Sequence, residues 1–309
     1  MIEGIFVEGF IFSIMTLGIL ISYRILDLAD LTCDGSVAAG AATAAMCILS
    51  GWGIVLSMAA SFLVGVLCGL CTAAIHNKLR IPGLLAGILT MTMLYSVNLR
   101  ILGNKANVPL VKVTTLYRLF PRFFPFLPSE FSSLLGTLLF VLVIMLVMVA
   151  FFHTDLGTSL GALGSNEQVI ISLGMNPSTL KYIGLGLSNG LIALSGALLA
   201  QYQGFADANL GTGMAVQGLA AIMLGEFLFK TNRIEFITLR VILGSIAYKA
   251  LMFLGRKYGH IVGITPNDFK LLTGLLVIIS LLVAYSRVHA AEDAAKKKAL
   301  LRIQEAQNA

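Results

Sequence analysis

Charge is what this sequence has least of. Asp, Glu, Lys and Arg make up 12% of its 309 residues, about half the roughly 25% usual in a soluble domain. With 58% hydrophobic residues, the chain cannot cover itself with a polar surface, which excludes a water-soluble globule. Prolines are few, and four of the seven (Pro109, Pro121, Pro125 and Pro128) fall in one stretch, leaving long segments free of helix breakers. The four cysteines, Cys33, Cys47, Cys68 and Cys71, lie in or beside apolar runs. Cys68-x-x-Cys71 has no His or second pair at zinc-site spacing, so all four read as helix-packing residues. His76, His153, His260 and His289 are dispersed and form no ligand set. G-x-x-x-x-G-K-[ST] and H-E-x-x-H are both absent, so the chain does not cradle ATP by itself and shows no zinc-hydrolase signature. No catalytic residue and no metal site is expected. The net charge of +6 reads as membrane topology, not nucleic-acid binding. Met1-Ile2-Glu3-Gly4 lacks the basic start of a signal peptide, so residues 5–22 read as a retained first span.

What the sequence does have is apolar length. A spanning helix needs about 20 mostly apolar residues, and such runs occur at 5–22, 34–50, 54–75, 83–102, 133–152, 178–200, 214–229, 236–255 and 269–286. They are longer than barrel strands and do not alternate, so helices are the structure that satisfies the backbone in lipid. The expected fold is an all-α integral membrane protein of about eight to ten transmembrane helices. The runs at 34–50 and 214–229 are short enough for half-helices. Residues 1–286 form a single membrane domain and 287–309 a basic tail. If 23–31 face the cytoplasm, the inner loops and tail carry Arg24, Lys78, Arg80, Lys230, Arg233, Arg287, Lys296, Lys297, Lys298 and Arg302. The outer loops then carry Lys105, Lys112, Arg118, Arg122, Arg256 and Lys257. Ten against six favours this orientation, which puts the proline-rich stretch outside and the glycine-spaced segment 153–177 inside.

Charge enters the apolar region at Asp27, Asp30 and Asp34, which would share one face if the stretch were helical. On a lipid-facing helix each would cost roughly 2.5–3.5 kcal/mol. The stretch is therefore either an interfacial turn with capping carboxylates or a broken helix lining a hydrated cavity. Asp and Thr32 just before an apolar run also suit a helix N-cap. Thr90, Thr92, Tyr95 and Asn98 form a second polar line, facing either a pathway or a neighbouring helix. Gln201 to Gln217 surround a third break, rich in glycine, of the kind tolerated at membrane depth only inside protein or beside a cavity. Glu226 reads as interfacial.

Three blocks carry a family resemblance. Arg24 to Ser36 with the small residues that follow, Leu84 to Arg100, and Gly157 to Asn176 with Ser195–Leu198 and Gly211–Gly213 resemble the permease subunits of ATP-binding-cassette (ABC) importers. The likeness is to the branched-chain amino acid and ribose-type family, nearest in pattern to tryptophan/tyrosine permeases, and runs from about residue 8 to 285. It implies a non-enzymatic membrane subunit in a bacterial plasma membrane, paired with a second permease copy. Two cytoplasmic ATPase subunits would hold ATP and Mg, this chain would bind no cofactor, and an extracellular solute-binding protein would deliver a small polar solute such as an aromatic or branched-chain amino acid. The residues expected along the pathway are Asp30, Thr32, Asp34, Thr90, Thr92, Tyr95 and Asn98. Those expected to couple to the ATPase are Gly157, Leu160, Gly164, Asn166, Glu167 and Gly174, on a short amphipathic helix whose Leu160, Leu163, Val169, Ile170 and Leu173 would bury against the partner. Gly161 departs from the family, which often has a basic residue there. The rival from another class is an ion-coupled secondary transporter using Asp30 or Asp34 as its ion site, although the halves show no convincing repeat.

Overall fold

A computed structural model describes residues 2–258 apart from 112, 229, 230 and 232, together with positions 268, 271, 273–275, 278, 279 and 282. In chain order the helices are α1 (Ile2–Ile19), continued by a π-helical turn at Leu20–Ile25, then α2 (Thr32–Leu49), α3 (Ile54–Leu79), α4 (Gly83–Ile101), α5 (Leu116–Phe123) and α6 (Ser129–Phe152). They are followed by α7 (Asp155–Ser165), α8 (Glu167–Ser172), α9 (Pro177–Gln203), α10 (Met214–Leu228) and α11 (Ile234–Tyr258). Among the described residues seven helices are long and apolar enough to cross a membrane: α1 with its π-turn, α2, α3, α4, α6, α9 and α11. Eight of the nine expected spans coincide with these and the shorter α10. The ninth, 269–286, and the tail 287–309 lie outside the described residues except for isolated positions. Two short strands, β1 (Asn107–Pro109) and β2 (Phe205–Asp207), pair antiparallel with Val108 opposite Ala206. Neither they nor α5 is legible in the sequence, because three residues show no alternation and α5 contains Pro121.

The helix at the centre is α9. Its start is specified locally: Pro177 fills the first turn and the Asn176 side chain accepts the Ser178 N–H at 2.9 Å. It ends at Gly204, whose φ of 79° suits only a residue without Cβ. In α9, 83% of the apolar window is buried inside the protein, against 22% in α6. α6 accordingly exposes Leu139, Leu142, Val143, Leu146 and Val147, a face made for lipid. α2 and α3 press onto α9 through small residues. A Cβ at Gly40 would strike the Ala193 carbonyl, and one at Gly65 the Asn189 carbonyl. Backbones this close let dispersion supply the packing energy that lipid-exposed hydrophobic faces cannot.

The two ends of the bundle differ. At one end lie the π-turn, residues 26–31, α7, α8 and the start of α11, where Lys181–Glu167 at 3.4 Å joins α9 to α8, Arg24–Glu226 at 3.6 Å joins the π-turn to α10, and His153–Glu235 at 3.2 Å joins the end of α6 to α11. At the other lie the β1–β2 ribbon and the Lys249–Glu8 contact at 3.8 Å. Residues 23–31 and 153–176 thus share one end and 103–128 the other, as the Lys/Arg count requires.

Candidate functional site

The chain leaves helical geometry at Asp27, whose φ of 53° is left-handed, a conformation that Asp tolerates better than most residues. Residues 26–31 turn back beneath the bundle, and α2 then starts part-way along α4 and α9 instead of at the end of the bundle. The depth of this start is set by side chains. Asp30 Oδ1 accepts the Thr32 N–H at 2.8 Å and Oδ2 accepts Asn189 Nδ2–H at 2.8 Å. Asn189 Oδ1 in turn accepts the Ser36 hydroxyl at 2.7 Å. Asp27, Asp30 and Asp34 consequently do not share a helix face, since only Asp34 is helical.

Asp34 serves a helix far away in sequence. Its Oδ2 accepts the Gly213 N–H and its Oδ1 the Ala215 N–H, both at 2.7 Å, so it caps α10 while sitting in the first turn of α2. Gly211 makes this approach possible, because a Cβ there would strike the Asp34 carbonyl. Two helix N-termini, each worth roughly half a positive charge, meet around one carboxylate. Beside them opens a cavity of about 330 Å³ lined by Asp34, Thr92, Tyr95, Asn98, Asn209 and Thr212, with Met91 and backbone of Gly35, Ala208 and Gly211. Asn98 Nδ2 donates to the Gly35 carbonyl at 3.1 Å. A second close approach sits lower down: a Cβ at Gly164 on α7 would strike the Ile25 carbonyl, at the end of the π-turn.

Of the expected pathway residues, Asp34, Thr92, Tyr95 and Asn98 gather around this cavity. Thr32, Thr90 and Asp30 do not line it. Thr32 is buried against the Thr72 hydroxyl at 2.6 Å, Thr90 donates to the Ala86 carbonyl at 2.9 Å, and Asp30 sits in the tie to Asn189. The expected single amphipathic helix is two helices. Gly157 packs against Phe151 and Phe152, Asn166 caps α8 by accepting the Gln168 N–H at 2.9 Å, and Gly174 ends α8 with a φ of 74°. Leu160, Leu163 and Ile170 are buried within the chain itself, which leaves Leu156, Val169, Ile171 and Leu173 as the exposed apolar surface. The reason is that α7 covers the π-turn and the end of α6. Glu226, read as interfacial, lies near the end of α10 in a charge cluster: Arg240, with a side chain only 6% exposed, donates to it at 3.1 Å and Arg24 lies 3.6 Å away. The sequence singles out neither Asn189 nor Arg240. A polar residue in the small-residue stretch of α9 was the one available signal for Asn189.

The fold resembles those of two solved structures. It matches PsaBC from Streptococcus pneumoniae in complex with Fab, with a TM-score of 0.52 at 15% identity and 89% of each chain covered. It also matches an inward-facing conformation of a metal-chelate type ABC transporter, with a TM-score of 0.51 at 17% identity, covering 91% of this chain and 86% of that one. Both likenesses are of fold, a multi-pass helical bundle broken around a small cavity. The sequence is more specific: residues 1–281 match the family described as branched-chain amino acid transport system, permease component, and the chain belongs to that family. A tyrosine transport system permease protein of Clostridioides difficile is 39% identical over 277 residues, covering 90% of this chain and 89% of the relative. An uncharacterised protein of Rickettsia prowazekii is 35% identical over 267 residues, covering 86% and 91%. An autoinducer 2 import system permease protein of Yersinia enterocolitica is 27% identical over 194 residues, covering 60% of this chain and 49% of that relative.

Proposed function

We propose that the chain is the permease of an amino-acid importer in a bacterial plasma membrane, with tyrosine as the solute. The observation that carries this reading is the cavity at the meeting point of α2 and α10. Its volume of about 330 Å³ is at the small end of ligand pockets, roughly 300–1,000 Å³, and suits a solute of amino-acid size. The tyrosine permease relative supports the choice of solute.

The partners follow from the two ends and one side. Along its middle α4 exposes Thr92, Tyr95 and Ser96, whereas the middle of α6 exposes Leu139, Leu142, Val143, Leu146 and Val147. Polar groups on a spanning helix face protein or water, not lipid, so a second copy of the chain packs on α4 and the path runs between the two. Separate ATPase subunits, which hold ATP and Mg, dock on α7 and α8 through Val169, Ile171 and Leu173. A binding protein delivers solute at the ribbon end. Because ATP drives the cycle, its binding must favour one of two arrangements of the same permease pair.

The rival ion-coupled reading needs a carboxylate free to take a proton or sodium. Each oxygen of Asp30 and Asp34 already accepts an N–H, so a proton taken up on either carboxylate would cost one of these hydrogen bonds. Reconstitution in proteoliposomes with the ATPase and binding protein should give ATP-dependent tyrosine uptake. Uptake that proceeds without ATP and stops when an ionophore collapses the ion gradient would sink the proposal.

A further inference from the structure

We propose that Asn98 and Asp34 form a subsite inside the permease for the protonated amine of the transported solute. This rests on the transport reading above and deepens it.

Asn98 is 1% exposed, and its side-chain orientation is decided by chemistry. Its amide group lies 3.1 Å from the Gly35 carbonyl, and a carbonyl must face a donor, so that atom is Nδ2. The other atom, Oδ1, is buried and has no hydrogen-bond partner among the described residues. A buried amide oxygen without a partner is rare in folded proteins and calls for an explanation. What it lacks is a donor. Asn98 lies in the wall of the cavity, and so does Asp34.

Asp34 points to the same ligand chemistry. A carboxylate offers about four acceptor positions; the Gly213 and Ala215 N–H groups use two, and the Cys33 thiol, 3.9 Å from Oδ1, takes a third. The charge of Asp34 is offset by the two helix N-termini it joins, so the remaining position on Oδ2 accepts a hydrogen bond without demanding a metal ion. No Lys, Arg or His lines the cavity, so no charged donor in its wall competes for these acceptors. A primary ammonium carries three N–H donors and one positive charge, which matches an unpaired amide oxygen beside a partly used carboxylate. The solute's own carboxylate is left to the Thr212 and Asn209 side, next to the start of α10. The membrane subunit would then inspect the amine itself, in addition to any selection made before the solute reaches it.

The test uses the permease–ATPase complex in nanodiscs without the binding protein, and measures displacement of radiolabelled tyrosine. Two competitors separate the ends of the solute: tyramine keeps the amine and lacks the carboxylate, while 3-(4-hydroxyphenyl)propanoate does the reverse. Tyramine is expected to displace tyrosine at least about tenfold better, because a site built around unpaired polar groups rejects a ligand that leaves them unpaired. Asn98→Leu should abolish that preference, and Asn98→Asp, which restores an acceptor, should retain it. Equal displacement by both competitors overturns the proposal without recourse to any variant. So does an Asn98→Leu complex that still discriminates, or a failure to bind tyrosine in a complex that transports it. Each of these outcomes leaves ATP-driven uptake standing. Loss of ATP-dependent uptake in the complete unmodified importer overturns the transport reading instead.

Discussion

Asp34 holds the start of α10 through two N–H groups 179 and 181 residues further along the chain. Hydrogen bonds to a charged group contribute about 1.5–3 kcal/mol each, so Asp34→Asn should destabilise the protein by about that amount. The asparagine has one acceptor oxygen for two donors and turns an N–H toward the second. Thermal melting in detergent should fall by several degrees, with tyrosine uptake reduced at least tenfold. A variant that melts with the wild type would show that the carboxylate is not what holds the two helices together. The partnership is invisible in the sequence, where Asp34 reads equally well as a cap for its own helix. The same is true of Asn189, whose partner Asp30 lies 159 residues earlier. What could be read at this scale was that three carboxylates so near an apolar run had to be shielded from lipid, and that Thr92, Tyr95 and Asn98 formed a polar line.

Among the elements, the spans were the most legible part. Runs of the required length cannot hide in a sequence, and α1, α3, α6, α9 and α11 begin and end close to where hydropathy sets them. The π-turn, the ribbon and the split of one expected helix into α7 and α8 depend on contacts with other elements and leave no periodic trace. The split has a mechanical side. Gly164 brings α7 onto the carbonyl of Ile25, nine residues before Asp34. A push on α7 therefore reaches the cavity wall along one short stretch of backbone. Gly164→Val should wedge α7 away from the π-turn while leaving the exposed face of α8 intact. The expected result is a complex that still pulls down the ATPase and hydrolyses ATP, with solute moved per ATP lowered at least fivefold. Full uptake at an unchanged ratio would rule out this route.

At the scale of the whole molecule, α4 and α6 are equally exposed, each with 22% of its window buried, yet their outer faces differ in kind. If a second copy covers α4, a cysteine at Thr92 or Ser96 should form an oxidative cross-link between copies in membranes. A cysteine at Val143 on α6 should not. The four native cysteines would first be replaced, since Cys71 is exposed. Cross-linking at 143 alone would move the interface to the other side of the molecule. Composition could establish that lipid surrounds the chain, but not which side is withheld from it.

The clamps on α10 carry one more consequence. Asp34 grips its first turn, and Glu226 near its last turn is gripped by Arg240 and Arg24. Each added residue turns a helix by about 100° and lengthens it by about 1.5 Å. Inserting or deleting a single residue between Gln217 and Met223 would leave one grip intact and swing the other partner to the wrong side. The 15 residues of α10 are therefore a gauge length: substitutions along its middle should be tolerated far better than any change in their number.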